Sequence, residues 1–473
     1  MTSGFAPRPP FAGSALDPRV GTRVAPRASD HAVAGMGTLC LKAFLVAQFL
    51  SLTRLFFSTQ LGDGITFYAS LAGLLSVALL IPAVAAYGMR AGSPFGTLVR
   101  GGRMWAVGVV GLSAVLSLYG WIGKGYAAAP VAHDLAPYLV IVAAAVLGSL
   151  RKAWEDIDRL LLVLFVVGLL VNAIGMTEMS RVVTEVDSED RAGIGIVAYR
   201  TQGVLAFWPL LFLTARLRTP ARALLAFLGV FFVLAQQILF QKRAPTARVA
   251  VFVLVFLVVL PRLTRGVPAR AEWRSRLLFL GTGVLAVVIA VSVAPWLFAG
   301  QLAGLLQRWS GQAYAGGAAG MLTTENERFY ESAVFLKGMR AEDLALGRGF
   351  GGYFKPNVSW WGIWLEDVGE FGRRQLHVGA LMPLFKGGLP LVVVYYSGLA
   401  LALLRGFCAR RDPVAGAMFF VLLVHALFLV QESWFLMSVS FDLVLVGLCM
   451  GYLLSRETLP RRAAPPALQG AQP

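Results

Sequence analysis

Charged residues are scarce in this sequence: Asp, Glu, Lys and Arg make up only 14% of 473 residues, against 57% hydrophobic ones. A soluble body of that size would need far more charge to cover its surface, so the chain reads as a polytopic membrane protein. Cysteine is nearly absent. Cys40, Cys408 and Cys449 lie within or beside apolar segments, and they match neither a zinc site nor a disulfide framework. Acids are outnumbered, at 25 against 42 Lys and Arg, and a net charge of +17 would point to nucleic acid in a soluble protein. Most of the arginines, however, sit in short connectors between apolar runs, where membrane orientation accounts for them. No nucleic-acid partner is expected. Also missing is the compact order of a cleaved signal peptide. Residues 1–37 are rich in Pro, Arg and Ala and read as a disordered cytoplasmic tail. The apolar run that starts near Thr38 continues as a full span.

Apolar runs near the ~20 residues that a bilayer core requires occur about twelve times along the chain. They lie near 38–57, 64–87, 103–122, 136–150, 158–175, 202–215, 221–240, 247–261, 277–299, 377–404, 414–431 and 436–454. The expected fold is all-α: transmembrane helices 1–9 over residues 38–299, a periplasmic loop with short helices over 300–376, helices 10–12 over 377–454, and a cytoplasmic tail over 455–473.

Sidedness follows from the connectors. With the basic N-terminal tail in the cytoplasm, every second connector is cytoplasmic, and these carry Arg90, Arg100 and Arg103; Arg151, Lys152 and Arg159; Arg216, Arg218 and Arg222; five arginines between 262 and 276; and Arg405, Arg410 and Arg411. The outward connectors are poor in bases: residues 58–63 and 431–435 have no Lys or Arg, and 123–134 has only Lys124. This alternation obeys the positive-inside rule, giving both termini in the cytoplasm of a bacterial inner membrane and the long loop outside.

Three outward segments break the rule: Gln241–Arg248, the stretch holding Arg181, Arg191 and Arg200, and the long loop. Moving three cations fully outward opposes the membrane potential by roughly 7 kcal/mol per 100 mV, from about 2.3 per charge. The Arg200 stretch is balanced by Glu178, Glu185, Asp187, Glu189 and Asp190, whereas Lys242, Arg243 and Arg248 have no acid beside them. Arg grips phosphate oxygens bidentately and stays charged. At the outer mouth of two helices, the natural partner for Arg243 and Arg248, with Lys242 adding a point charge, is the diphosphate of a lipid-linked molecule. The ordinary alternative is contact with phospholipid headgroups.

Of four histidines, only His377 stands at an outer membrane boundary beside basic residues; His31 is in the tail, His133 in a short loop and His425 within an apolar span. An imidazole takes a proton from a sugar hydroxyl near neutral pH, a contribution of roughly 10²- to 10⁴-fold. A helix-capping histidine is the alternative. In the loop, Thr324 and Glu327 make a capping box, and Phe329, Ala333 and Leu336 follow at helical spacing, which predicts an amphipathic helix. Arg328 falls in its first turn, where the helix dipole disfavours a cation, so either anion binding or an ion pair with a nearby acid explains it. Gly347 to Gly352 follows no predicted strand and reads as a tight turn rather than a nucleotide motif. Trp360, Trp361 and Trp364 read as interface anchors.

Three features together resemble the O-antigen ligase and O-antigen polymerase superfamily of bacterial envelope glycosyltransferases. They are the basic turn Lys242-Arg243-Ala244-Pro245 opening a span; Arg328 followed by a helix and the Gly347 to Gly349 turn; and His377 opening a helix that carries Lys386-Gly387-Gly388. The resemblance covers roughly residues 199–404 and, more loosely, the whole span pattern. It implies transfer of a glycan from an undecaprenyl-diphosphate carrier to the hydroxyl of an acceptor glycan or glycolipid at the periplasmic face, with no metal, cofactor or nucleotide sugar. Arg243 or Arg248, with Arg200 and Arg328, would hold the diphosphate, and His377 would activate the acceptor. The sequence departs from the family at Val378, where Asn, Ser or Gln is common.

A ligase would hand the finished chain to lipid A core, and a polymerase would add it to another lipid-linked repeat. Gly388 leans toward the ligase-like pattern. The competing classes are a secondary transporter, for which two similar halves would be expected and no internal repeat is found, and a structural partner in a polysaccharide export complex.

Overall fold

The structure, a computed structural model, describes residues 38–40, 42–44, 78–86, 95–150, 153, 154, 157, 163, 166, 331–354, 376, 378–409, 412–428 and 441–455. Six α-helices are bounded within it: α1 (Arg100–Leu118), α2 (Ala128–Gly148), α3 (Ala341–Leu346), α4 (Met382–Ala409), α5 (Pro413–Phe428) and α6 (Phe441–Leu454). A π-helical turn, Tyr119–Gly123, prolongs α1, and a 3-10 turn, Gly379–Leu381, leads into α4. Among the described residues there is no β-strand, and an isolated bridge joins Leu98 to Ser455. Three helical runs are long and apolar enough to cross a membrane, Arg100–Gly123, Ala128–Gly148 and Gly379–Ala409, with shorter apolar helices at Val414–Leu427 and Leu443–Leu454.

These helices coincide with the spans expected near 103–122, 136–150, 377–404, 414–431 and 436–454. Residues 38–40, 42–44 and 78–86 are also helical, within the first two expected spans. The spans expected between 202 and 299 and the tail 1–37 lie outside the described residues.

The start of α2 is corrected: it begins at Ala128, eight residues before the expected 136. Ala128 and Ala129 are strong helix formers, and Pro130 falls in the first turn, where its missing N–H is no loss. His133 and Asp134 therefore belong to a helix and not to a connector. The loop helix also differs in phase from its expected stripe. Residues 331–337 are helical, but Ala333 and Leu336 are exposed while Glu331, Ser332 and Phe335 are buried. Phe335 sets the phase, because it packs edge-on against Phe354 and Phe385 at centroid distances of 5.9 and 5.3 Å.

The helices are drawn together where side chains are smallest. Ala144 and Ala145 of α2 face Gly447 and Gly451 of α6, Gly148 faces the Leu448 backbone, and a Cβ on Gly447 would lie 2.6 Å from that of Ala144. This small-xxx-small seam lets two membrane helices approach to backbone contact, which replaces a hydrophobic driving force that lipid does not supply. On α4, Gly398 takes the indole of Trp105 from α1.

Side chains and backbone then tie the ends of these helices into one layer. The Val99 N–H donates to the Leu454 carbonyl at 2.9 Å, and the Thr97 and Ser149 hydroxyls meet at 2.6 Å. Arg405 donates from Nε to the Leu453 carbonyl and from Nη2 to that of Ser455, both at 2.9 Å. The start of α1 and the ends of α2, α4 and α6 thus share one end, which carries Arg100, Arg103 and Arg405. Charge alternation in the sequence groups these same connectors on one side of the bilayer.

Candidate functional site

The opposite end is built around a break in α4. Gly388 has φ 63° and ψ −163° inside the helix, splitting it into a short segment ending at Gly387 and a longer one restarted by Leu389 and Pro390. Pro suits the first turn of the restarted helix. The break lets a second chain segment come close. Gly347, with φ 64°, lies against it so tightly that a Cβ there would sit 2.5 Å from the Gly387 nitrogen, and one on Gly388 would sit 2.6 Å from the Leu344 carbonyl oxygen. The Arg348 N–H donates to the Phe385 carbonyl at 2.8 Å, satisfying one of the carbonyls that the break orphans. The Gly347–Gly352 turn is therefore seated on the Lys386-Gly387-Gly388 break.

Beneath this seat is a buried ion pair. Lys386 Nζ donates to Asp134 Oδ2 at 2.6 Å and to the Gly352 carbonyl at 2.8 Å, and the Gly351 N–H donates to the same Oδ2 at 2.7 Å. The Lys386 side chain is 1% exposed and that of Asp134 is 8% exposed. Two charges buried in apolar helices are expensive unless paired and hydrogen-bonded, as these are. One turn further along α2, the ring of Tyr138 stacks on Phe350 at 5.3 Å, fixing the tip of the turn from below.

Asp134 leaves its other oxygen toward the outside. His133 Nδ1 lies 3.7 Å from Asp134 Oδ1, and the imidazole is 52% exposed. From Val131 to Gly148, His133 is the single exposed residue of α2. Against the glycine turn stand Tyr119, beside Gly349, and Tyr126, beside Gly351; Tyr126 and Tyr353 are 5.9 Å apart, and Lys124 Nζ stands 5.3 Å above the Tyr119 ring. Burial pushes the Tyr126 phenol up, so it stays neutral and able to donate. Arg348 adds a guanidinium that is 30% exposed, paired through Nη2 with Asp343 at 3.0 Å, while its buried Nε has no partner.

The site residues expected from the sequence, His377, Arg200, Lys242, Arg243, Arg248 and Arg328, all lie outside the described residues. What the structure does bring together are two stretches that the resemblance treats as separate motifs, Gly347 to Gly349 and Lys386-Gly387-Gly388. Sequence reasoning missed Asp134 and His133. The available signal was a carboxylate and an ammonium each lying a few residues inside an apolar run, with opposite signs. Among the described residues, no cluster of three or more His, Cys, Asp or Glu could hold a metal ion. No protein-family model, curated protein or solved structure matches this chain.

Proposed function

We propose that the chain is a membrane glycosyltransferase of the O-antigen ligase and polymerase type, with about twelve spans and one large periplasmic loop. It moves a glycan from an undecaprenyl-diphosphate carrier to the hydroxyl of an acceptor glycan or glycolipid, on the periplasmic face of a bacterial inner membrane. The diphosphate is already a good leaving group, so the protein's task is to hold it and stabilise charge as the sugar bond breaks. Arg243 and Arg248, aided by Lys242, Arg200 and Arg328, take that role, and His377 engages the acceptor.

One observation supports this reading above the others. The loop's glycine turn and the broken helix that follows His377 are one seat, with Gly347 against Gly388. A loop locked onto the helix at Gly388, eleven residues past the proposed histidine, gives a preorganised outer platform, which is what a transfer at the membrane surface requires. The broken helix and its buried ion pair also favour a second reading, a secondary transporter, since such proteins bind substrate at helix breaks. Against it, Gly388 is the seventh residue of a 28-residue helix, about 10 Å from its start and nearer that end than the middle.

The test is His377→Ala and Arg243→Ala, each assayed for surface polysaccharide at matched protein levels. Both are expected to abolish polymer, and normal polymer from both removes the enzyme. Disruption of the gene separates the two subtypes, because loss of a ligase leaves long chains on the carrier and loss of a polymerase leaves single repeats.

A further inference from the structure

We propose that the rim of the glycine turn is a saccharide-binding subsite, built for a neutral sugar ring of the glycan away from the bond being made; the choice of ligand rests on the proposed transfer. Three phenol rings are gathered there by backbone packing. Gly349 and Gly351, at φ 78° and 84°, lie so close against Tyr119 and Tyr126 that a Cβ on either glycine would stand 3.1 Å from the tyrosine it faces. Tyr353 follows the turn, and its ring centroid is 5.9 Å from that of Tyr126. Lys124 and Arg348 are electrostatic neighbours of the Tyr126 phenol, and Glu342 is one of Lys124. None of the six is sealed in the core: the tyrosines and Arg348 are partly exposed, and Lys124 and Glu342 are exposed.

Membrane anchoring is the ordinary use of aromatic residues near the end of a span, and the same stretch assigns that use to its other side. Trp121 and Ile122, 56% and 72% exposed, continue the apolar stripe of Val115 and Leu118 along α1. Tyr119 leaves that stripe and is turned onto Gly349. Both sets ride on the π-helical turn Tyr119–Gly123, a form concentrated at functional sites. With Trp121 as the anchor, the tyrosines are left to face the loop.

The chemistry of the rim selects the ligand. A tyrosine offers a rigid apolar ring face and a hydroxyl that both donates and accepts, and only two torsions are fixed when it binds. A sugar ring is the complement, with C–H groups on its faces and hydroxyls around its edge. Charge narrows the class. Arg348 is paired with Asp343 at 3.0 Å, and Glu342 lies 3.9 Å from Arg340 and close to Lys124, so each cation here has a carboxylate beside it. A diphosphate or an acidic sugar would meet those carboxylates as well as the cations, whereas the hydroxyls of a neutral ring donate to one and accept from the other. The Gly347–Gly388 seat holds the turn before a ligand arrives, which lowers the ordering cost of a weak contact. Binding energy taken from a ring that does not react helps to position the one that does.

The experiment measures saccharide binding to the purified full-length protein in detergent by saturation-transfer NMR, with no transfer required. The probes are neutral gluco-, galacto- and manno-oligosaccharides, oligogalacturonate as the acidic counterpart, and inorganic pyrophosphate. A neutral probe is expected to bind in the millimolar range, and Tyr126→Ala and Tyr353→Ala each to weaken it by roughly tenfold. Tyr353→Phe, which keeps the ring face, is expected to recover most of that loss, and Trp121→Ala, on the other side of the turn, to bind within about threefold of wild type. In wild-type protein, nitration of Tyr126 and Tyr353 is expected to slow when the neutral probe is present, a readout that stands if an alanine variant fails to fold. The inference is overturned by the absence of saturable binding of every neutral probe, or by wild-type affinity in the folded alanine variants with no protection from nitration. Tighter binding of oligogalacturonate or pyrophosphate, lost in the same variants, overturns it as well. Each of these results leaves the proposed transfer standing, since that is decided by surface polysaccharide, and normal polymer there removes the reading on which the choice of ligand rests.

Discussion

The two ends of the described helices are held by different physics. At the end carrying Arg100, Arg103 and Arg405, the close backbone approach at Gly148 and Gly451 is joined by polar bonds that involve no carboxylate: a serine on a threonine, a guanidinium on two C-terminal carbonyls. At the other end, backbone also meets backbone, at Gly347 and Gly388, and a charge pair is sealed below. There the paired groups are buried, so losing one leaves its partner poorly solvated. The first end suits a face that need only be tidy, and the second a face that must stay in one geometry.

Removing one member of the sealed pair should do the most damage. Asp134→Ala leaves the Lys386 ammonium buried beside the Gly352 carbonyl without its carboxylate, and truncating one partner of a buried pair costs about 3–5 kcal/mol. Thermal unfolding in detergent is expected to show the variant failing to accumulate or melting well below wild type. The double variant Asp134→Leu with Lys386→Met is expected to recover most of that loss, since well-packed apolar residues often replace a buried pair without penalty. If the single variant melts like wild type, the seal is not electrostatic.

Gly388→Ala comes next. Its backbone lies at a φ that L-residues disfavour, and the added methyl meets the Leu344 carbonyl oxygen at 2.6 Å. The two effects together amount to roughly 3 kcal/mol, from about 1–3 for a backbone region that is essentially glycine-only and 1–3 for overpacking. Limited proteolysis between α3 and α4 is expected to reveal a loosened turn, and an unchanged cleavage pattern would mean that the loop is held elsewhere.

The contrast also explains what could be read from the sequence. Helices α1, α4, α5 and α6 were legible because length and hydropathy alone define a run that fits a bilayer. The start of α2 was not, since His133 and Asp134 look like the polar edge of a connector. What makes Asp134 tolerable inside a helix is Lys386, 252 residues away, and no local window contains both. The same is true of the loop helix, whose buried face is set by Phe354 and Phe385 and not by its own spacing. Gly388 was visible as a motif glycine, but its role as a break depends on Gly347 arriving from outside. For the expected diphosphate arginines and His377, the sequence carries the case through sidedness and resemblance alone.

Between these extremes stands Arg348, which separates the two kinds of end. Its guanidinium is 30% exposed, yet its partner Asp343 is 4% exposed. Arg348→Ala leaves that carboxylate with the Arg340 N–H at 3.0 Å, so the loss is expected to be about 1 kcal/mol, at the low end for a hydrogen bond to a charged group because water reaches the arginine. The melting temperature should fall by a few degrees, less than for Gly388→Ala. A fall as large as that one would show the turn to be held by its side chain and not by its glycines.

Arg405→Ala should matter least. Two neutral carbonyls at the end of α6 lose their donor, but they are helix-terminal groups that solvent and headgroups can reach once the side chain is gone. Replacing a cation near a helix C-terminus costs about 0.3–1 kcal/mol. Arg405→Lys, which places a point charge near the same carbonyls without the two-pronged geometry, is expected to recover part of that difference. The comparison of Arg405→Ala with Asp134→Ala, in the same detergent and by the same unfolding assay, is then the direct measure of the asymmetry. Equal losses would mean that the arginine-bearing end is as rigid as the end that carries the turn, and the reason for expecting chemistry at one of them would be gone.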